Sequence, residues 1–164
     1  MTRLFLLPIL LSTPVLACTS ANGVPDPLCT PGAIDPAVTQ VNIHETICVL
    51  GYSKSVRPPL RVTYPLKRQV MEEYGLEGKA PRLFEGDPLI PIEIGGCPGP
   101  DRDCDFHANY WPQAWAEPNG AHDKDRIENA LHRLVCSDRM PLAEAQHRLS
   151  TDWRHALDDQ GEGP

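Results

Sequence analysis

FEGDPLIPIEIGG (residues 84–96), NYWPQ (109–113) and KDRIENALHRLVC (124–136) decide how this chain folds. In the first stretch Leu89, Ile90, Ile92 and Ile94 surround Pro91 in strand-like composition, so a strand is expected over 82–94 with Gly95-Gly96 as the turn that ends it. A return strand should run toward Tyr110-Trp111. In the third stretch Ile127, Leu131, Leu134 and Val135 share one helical face, giving a helix over about 123–136. Its first turn carries Asp123 and Asp125, the charge sign that a helix N-terminus favours. A hairpin running into a helix makes the class α+β.

Further helices are expected around that unit. Asp35-Pro36 reads as N-cap and first helical residue of a helix over about 36–47, with Val38, Val41 and Ile47 as its buried stripe. Residues 51–64, interrupted by Pro58-Pro59, should be extended. Pro65 then opens a helix carrying Leu66, Val70, Met71 and Tyr74, stopped by Gly75. Pro141 starts the last helix, which runs to about Leu157 with Leu142, Ala145, Leu149 and Trp153 inward. Residues 18–34, rich in Pro, Gly, Ser, Thr and Asn, read as a flexible arm, 35–158 as one domain and 159–164 as a disordered tail.

The chain begins like an exported protein. Arg3 precedes an apolar run from Leu4 to Leu16, and Ala17 closes it at a cleavage position, so residues 1–17 read as a signal peptide. The expected location is extracytoplasmic, periplasmic or secreted. Val15-Leu16-Ala17-Cys18 is similar to a lipobox, which leaves two fates for Cys18: acylation, with membrane anchoring, or a disulfide. All six cysteines (18, 29, 48, 97, 104, 136) survive cleavage, an even count that permits three bridges. Cys29 could pair with Cys48 across the first helix and Cys97 with Cys104 around PGPDRD, leaving Cys136 for Cys18 or free. Neither CxxC nor paired CxxxC spacing occurs, which argues against a zinc site.

The net charge of −7 becomes −8 when Arg3 is removed, which opposes bulk attraction to a polyanion. Its distribution is uneven. Lys54, Arg57, Arg61, Lys67, Arg68, Lys79 and Arg82 outnumber Glu72, Glu73 and Glu77 between residues 51 and 82, whereas Glu85, Asp87, Glu93, Asp101, Asp103 and Asp105 dominate 85–105. A basic flank beside an acidic hairpin is one outcome, and ordinary surface scatter the other.

The three opening stretches, with CTPGAIDPAVTQVNIHETIC (29–48) and VRPP (56–59), resemble exported bacterial HNH endonuclease-like proteins, whose pattern is ELDHLIPLELGG, NLWPQ and a KDRLEN-type helix. The resemblance covers most of the chain beyond residue 17. It implies a small ββα-metal core with surrounding helices and disulfide staples, cleavage of phosphodiester bonds, and nucleic acid, DNA ahead of RNA, as partner. A divalent cation, Mg²⁺ or Mn²⁺, is the implied cofactor; no nucleotide cofactor and a monomer are expected.

By the same resemblance Asp87 is the metal-ligand carboxylate and Asn109 the residue that pins the hairpin loop through main-chain hydrogen bonds. The helix should add a metal-facing group, with Asn129 first, then His122 and Asp125. One position departs. Where the pattern places an imidazole after the Asp, to deprotonate the attacking water, this chain has Pro88, which has no titratable group. His107 or His122 is the candidate substitute base, and without one the scaffold would be a nucleic-acid-binding or structural envelope protein. Trp111 and Trp153 read as core, and His44, His132, His147 and His155 as helix-surface residues.

Overall fold

A computed structural model describes residues 17–116 and 118–159. The expected signal segment therefore lies outside the described residues except for Ala17, and so does the tail beyond Asp159. The expected hairpin is present and shorter than its apolar run. β1 (Phe84–Pro88) pairs antiparallel with β2 (Tyr110–Ala114), with Asp87 opposite Trp111 and Pro88 opposite Tyr110.

The run after Pro88 is not strand. Leu89–Gly96 turns inward as a buried plug containing a 3-10 turn at Ile92–Ile94. Pro91 offers no ladder donor there, and Asn109 takes over the work of a second strand. Its Oδ1 accepts from Ile90 N (2.9 Å), and its Nδ2 donates to Ile90 O (2.9 Å) and Cys97 O (3.4 Å). Gly96 closes the plug where a Cβ would sit 1.8 Å from the Ile90 oxygen, so only glycine fits.

Four α-helices surround the hairpin among the described residues: α1 (Tyr52–Val56), α2 (Leu60–Glu73), α3 (Ala121–Cys136) and α4 (Leu142–Asp152). Two expectations fail here. The helix read over 36–47 is only a kinked 3-10 segment, Gln40–Glu45, because the Asp35 carboxylate accepts from Ala37 N and closes a turn in place of capping a helix. The segment read as extended holds α1 and the start of α2, and Pro65 lies inside α2 with Pro59 at the cap. Pro65 and Arg61, whose carbonyl it leaves without an i+4 donor, are both exposed, so that group can be solvated.

Trp111, Trp153, Ile94, Leu131 and Leu149 form the centre of the core, as expected of both tryptophans. Three disulfides staple it: Cys18–Cys29, Cys48–Cys136 and Cys97–Cys104. The Cys97–Cys104 bridge matches the expectation, while Cys29–Cys48 and both expected fates of Cys136, pairing with Cys18 or staying free, are overturned. Without the expected helix, Cys48 comes instead to the last turn of α3. Bridges of this number are characteristic of oxidising, extracytoplasmic compartments. No described helix is long and apolar enough to cross a membrane.

Candidate functional site

Asp87, next to last in β1, has its side chain directed at α3. On that helix Lys124, Glu128, Leu131 and Val135 recur at helical spacing and all are buried, so the apolar stripe is ionic in its first two turns. The Lys124 ammonium lies 2.7 Å from Asp87 Oδ2 and 2.8 Å from Pro88 O, and it also donates to Glu128 Oε1. Three acceptors match its three N–H groups. Trp111 Nε1 donates to the same Asp87 oxygen at 3.2 Å. Lys124 is 1 % exposed, Asp87 5 % and Glu128 7 %, so water takes little part in this cluster.

One cation between two buried carboxyls leaves an excess negative charge. Burial pushes the Glu128 carboxyl up to about 8, against the pull of Lys124 and with repulsion from Asp87 adding to the rise. Burial also raises Asp87, opposed by Lys124 and the Trp111 donor. Lys124 is itself held above the ordinary lysine value, because the two carboxylates outweigh its desolvation. The triad therefore holds its ammonium and one extra proton near neutrality. Asp87 accepts from both Lys124 and Trp111, which favours its charged form relative to Glu128.

Beside the hairpin a cleft of about 240 Å³ is lined by Arg57, Lys67, Glu85, Pro88, Tyr110 and Trp115, among others. Pro88 thus lines the cleft while its carbonyl accepts from Lys124. Lys67 Nζ donates to Phe84 O at 2.7 Å, which fixes α2 against the hairpin. Burial, then the Asp87 and Asp125 charges, push Glu85 up to about 7. Gly86 lets the Tyr110 ring lie across β1, where a Cβ would come within 2.1 Å of the phenol oxygen. Leu60 (81 % exposed) and Tyr64 (50 %) form an apolar rim.

The other sequence candidates are dispersed. His107 pairs with Glu73 at 2.9 Å and lines a separate shallow groove with Cys104 and Leu66. His122 is exposed at the start of α3, its ring 5.3 Å from that of Trp115 and its Nδ1 4.0 Å from Asp125. Asn129 is exposed and donates to the Asp125 carbonyl of its own helix at 2.6 Å. Only Asp87 enters the buried cluster, and Asn109 acts on the loop backbone.

No protein-family model, curated protein or solved structure matches the chain.

The donor set does not fit the hydrated divalent cation that the sequence resemblance implies. Such a cation needs oxygen ligands together with open coordination positions. Asp87 and Glu128 already surround an ammonium, and Asn129 and His122 do not converge on them. Lys124, Glu128, Arg57, Lys67 and Glu85 were not among the sequence candidates. A Lys-x-x-x-Glu pair on a helix reads as a solvated i, i+4 bridge. The available signal was its phase: Lys124 stands seven residues ahead of the buried Leu131, and Glu128 seven ahead of the buried Val135.

Proposed function

We propose that this chain is an extracytoplasmic, HNH-like protein that binds nucleic acid at the hairpin cleft without metal-dependent cleavage. The observation that carries this reading is the position of Lys124. Its ammonium fills the space between Asp87, Glu128 and the Pro88 carbonyl, so a permanent internal cation neutralises the carboxylate that the HNH-like pattern reserves for a metal. Pro88 removes the general base in the same strand.

The cleft supplies chemistry for holding a strand. Arg57 and Lys67 offer charge to phosphates, and Tyr64 and Trp115 offer ring faces to bases. Arg57 and Lys67 come from the basic stretch 51–82.

Binding of labelled single-stranded and duplex DNA and RNA, measured by fluorescence anisotropy at low and moderate salt, tests the reading alongside plasmid nicking with Mg²⁺, Mn²⁺ or chelator. The expected result is salt-sensitive binding, weakened about tenfold or more by Arg57→Ala with Lys67→Met, and no nicking. Metal-dependent nicking by the unaltered protein, or absence of binding at low salt, overturns it. Hydrolysis in the same cleft is the second reading, favoured by Glu85, whose carboxyl near pH 7 suits proton transfer at neutral pH. Any cleavage of that kind would be lost in Glu85→Gln.

A further inference from the structure

The Cys48–Cys136 disulfide joins the last turn of α3 to the loop after Ile47, with the two Cα atoms 5.5 Å apart. His132 stands one turn before Cys136 and is half-buried, against the surface position expected from sequence. Its Nε2 lies 3.3 Å from Cys136 Sγ and 2.9 Å from the Ile47 carbonyl oxygen. A carbonyl only accepts, so in the disulfide form the imidazole carries its proton on Nε2. One ligand atom from each of Cys48, His132 and Cys136 lies within 4.8 Å of the others, and all three side chains are half-buried. Among the described residues this is the one such group of His, Cys, Asp or Glu.

We propose that Cys48, His132 and Cys136 form a reduction-gated site for a thiophilic divalent cation, closed while the disulfide stands. A dithiol reductant opens it. One of its thiolates attacks a disulfide sulfur, and its second sulfur resolves the mixed disulfide. Two electrons and two protons pass to the protein as two thiols, and the reductant leaves as a cyclic disulfide. Zn²⁺ then replaces the two thiol protons, which go to solvent, and forms two Zn–S bonds and one Zn–N bond. The His132 proton shifts from Nε2 to Nδ1, so the ring stays neutral and Nε2 turns its lone pair to the metal.

The geometry suits this change. Zn–S bonds of about 2.3 Å at a tetrahedral angle separate the sulfurs by roughly 3.7 Å, which rotation of the two side chains provides without moving the backbone far. Glu93 supplies an outer partner. Its Oε1 is buried with no hydrogen-bond partner among the described residues, which suits it to accept from Nδ1–H of the metal-bound ring. Water completes the fourth position. The site escapes spacing rules because His-x-x-x-Cys on α3 meets a cysteine 88 residues from Cys136.

The test uses the mature protein, reduced with excess dithiothreitol, passed through anaerobic gel filtration and dialysed against Zn²⁺. One zinc per chain is expected after reduction and none before it. Cys97→Ser with Cys104→Ser keeps that zinc, His132→Ala loses it, and Glu93→Gln weakens it about 10- to 100-fold. Thiol alkylation with peptide mapping should show Cys48 and Cys136 as the protected pair. If reduction loosens the fold, near-UV circular dichroism serves as a second readout, with zinc restoring the signal in the unaltered chain and not in His132→Ala. No zinc uptake, failure of zinc to restore a lost signal, or equal binding by His132→Ala overturns the proposal.

Discussion

Lys124→Met removes the ammonium that Asp87 and Glu128 share while keeping an unbranched side chain of similar length. Breaking a buried ion pair from one side costs about 3–5 kcal/mol. That is a large part of the roughly 5–15 kcal/mol that holds an ordinary domain folded. The loss should depend on pH. The folded chain keeps the Glu128 proton up to about pH 8, whereas an unfolded glutamate releases it near 4.5. Between those values the folded state binds more protons, so stability falls as pH rises. Lys124 is protonated in both states below its ordinary pKa and adds no slope of its own. Its absence raises both carboxyls further, so the variant loses stability more steeply, by up to about 1.4 kcal/mol per pH unit for each added proton. Urea unfolding at pH 5 and pH 8, followed through the buried Trp111 and Trp153, measures this. A difference under about 1 kcal/mol, or one no larger at pH 8 than at pH 5, would refute the assignment of Lys124 as the internal counter-ion.

Four further outcomes are expected. Glu128→Gln keeps an acceptor for Lys124 and removes the extra proton, so stability between pH 5 and 8 becomes flatter than in the unaltered chain, which the same urea series reads. Asn109→Ala leaves the Ile90 N–H and C=O unpaired in the core and costs at least about 2 kcal/mol; hydrogen exchange should quicken over residues 89–97 first. Gly86→Ala forces the Tyr110 ring off β1 and costs about 1–3 kcal/mol, with part of the loss recovered in combination with Tyr110→Leu. Intact-mass analysis of exported protein should give a chain starting at Cys18, unacylated and six hydrogens lighter than the reduced form; an acyl mass at Cys18 would exclude its bridge to Cys29.

The α3 helix was legible because its apolar stripe, its acidic first turn and its length agree. β2 and the core tryptophans were legible for similar reasons, since bulky side chains at these positions have nowhere else to go. The plug at 89–96 was misread as strand because a continuous apolar run fits a buried strand and a buried loop equally well. Only the Asn109 amide, which satisfies the loop backbone from 19 residues away, separates the two. The region 36–64 was misread for a local reason. Asp35-Pro36 and Pro65 carry helix-start chemistry, and the Asp35 side chain spent its hydrogen bond on a two-residue turn instead.

Sequence by itself determined the α+β class, the hairpin followed by a helix, one of the three disulfides, and the absence of a titratable group at Pro88. These follow from side-chain type, spacing and backbone restriction within short windows. Tertiary structure decided the rest. It set the rotation of α3, which turns Lys124 and Glu128 inward to meet Asp87. It placed Arg57 and Lys67 on the Pro88 cleft and carried His107 away to Glu73. It also brought Cys48 to His132 and Cys136. The physical reason is common to all four: hydrogen bonds and charge attraction act over a few ångströms in space, and the partners are separated by 21 to 88 residues in the chain or by a helix rotation that periodicity leaves free.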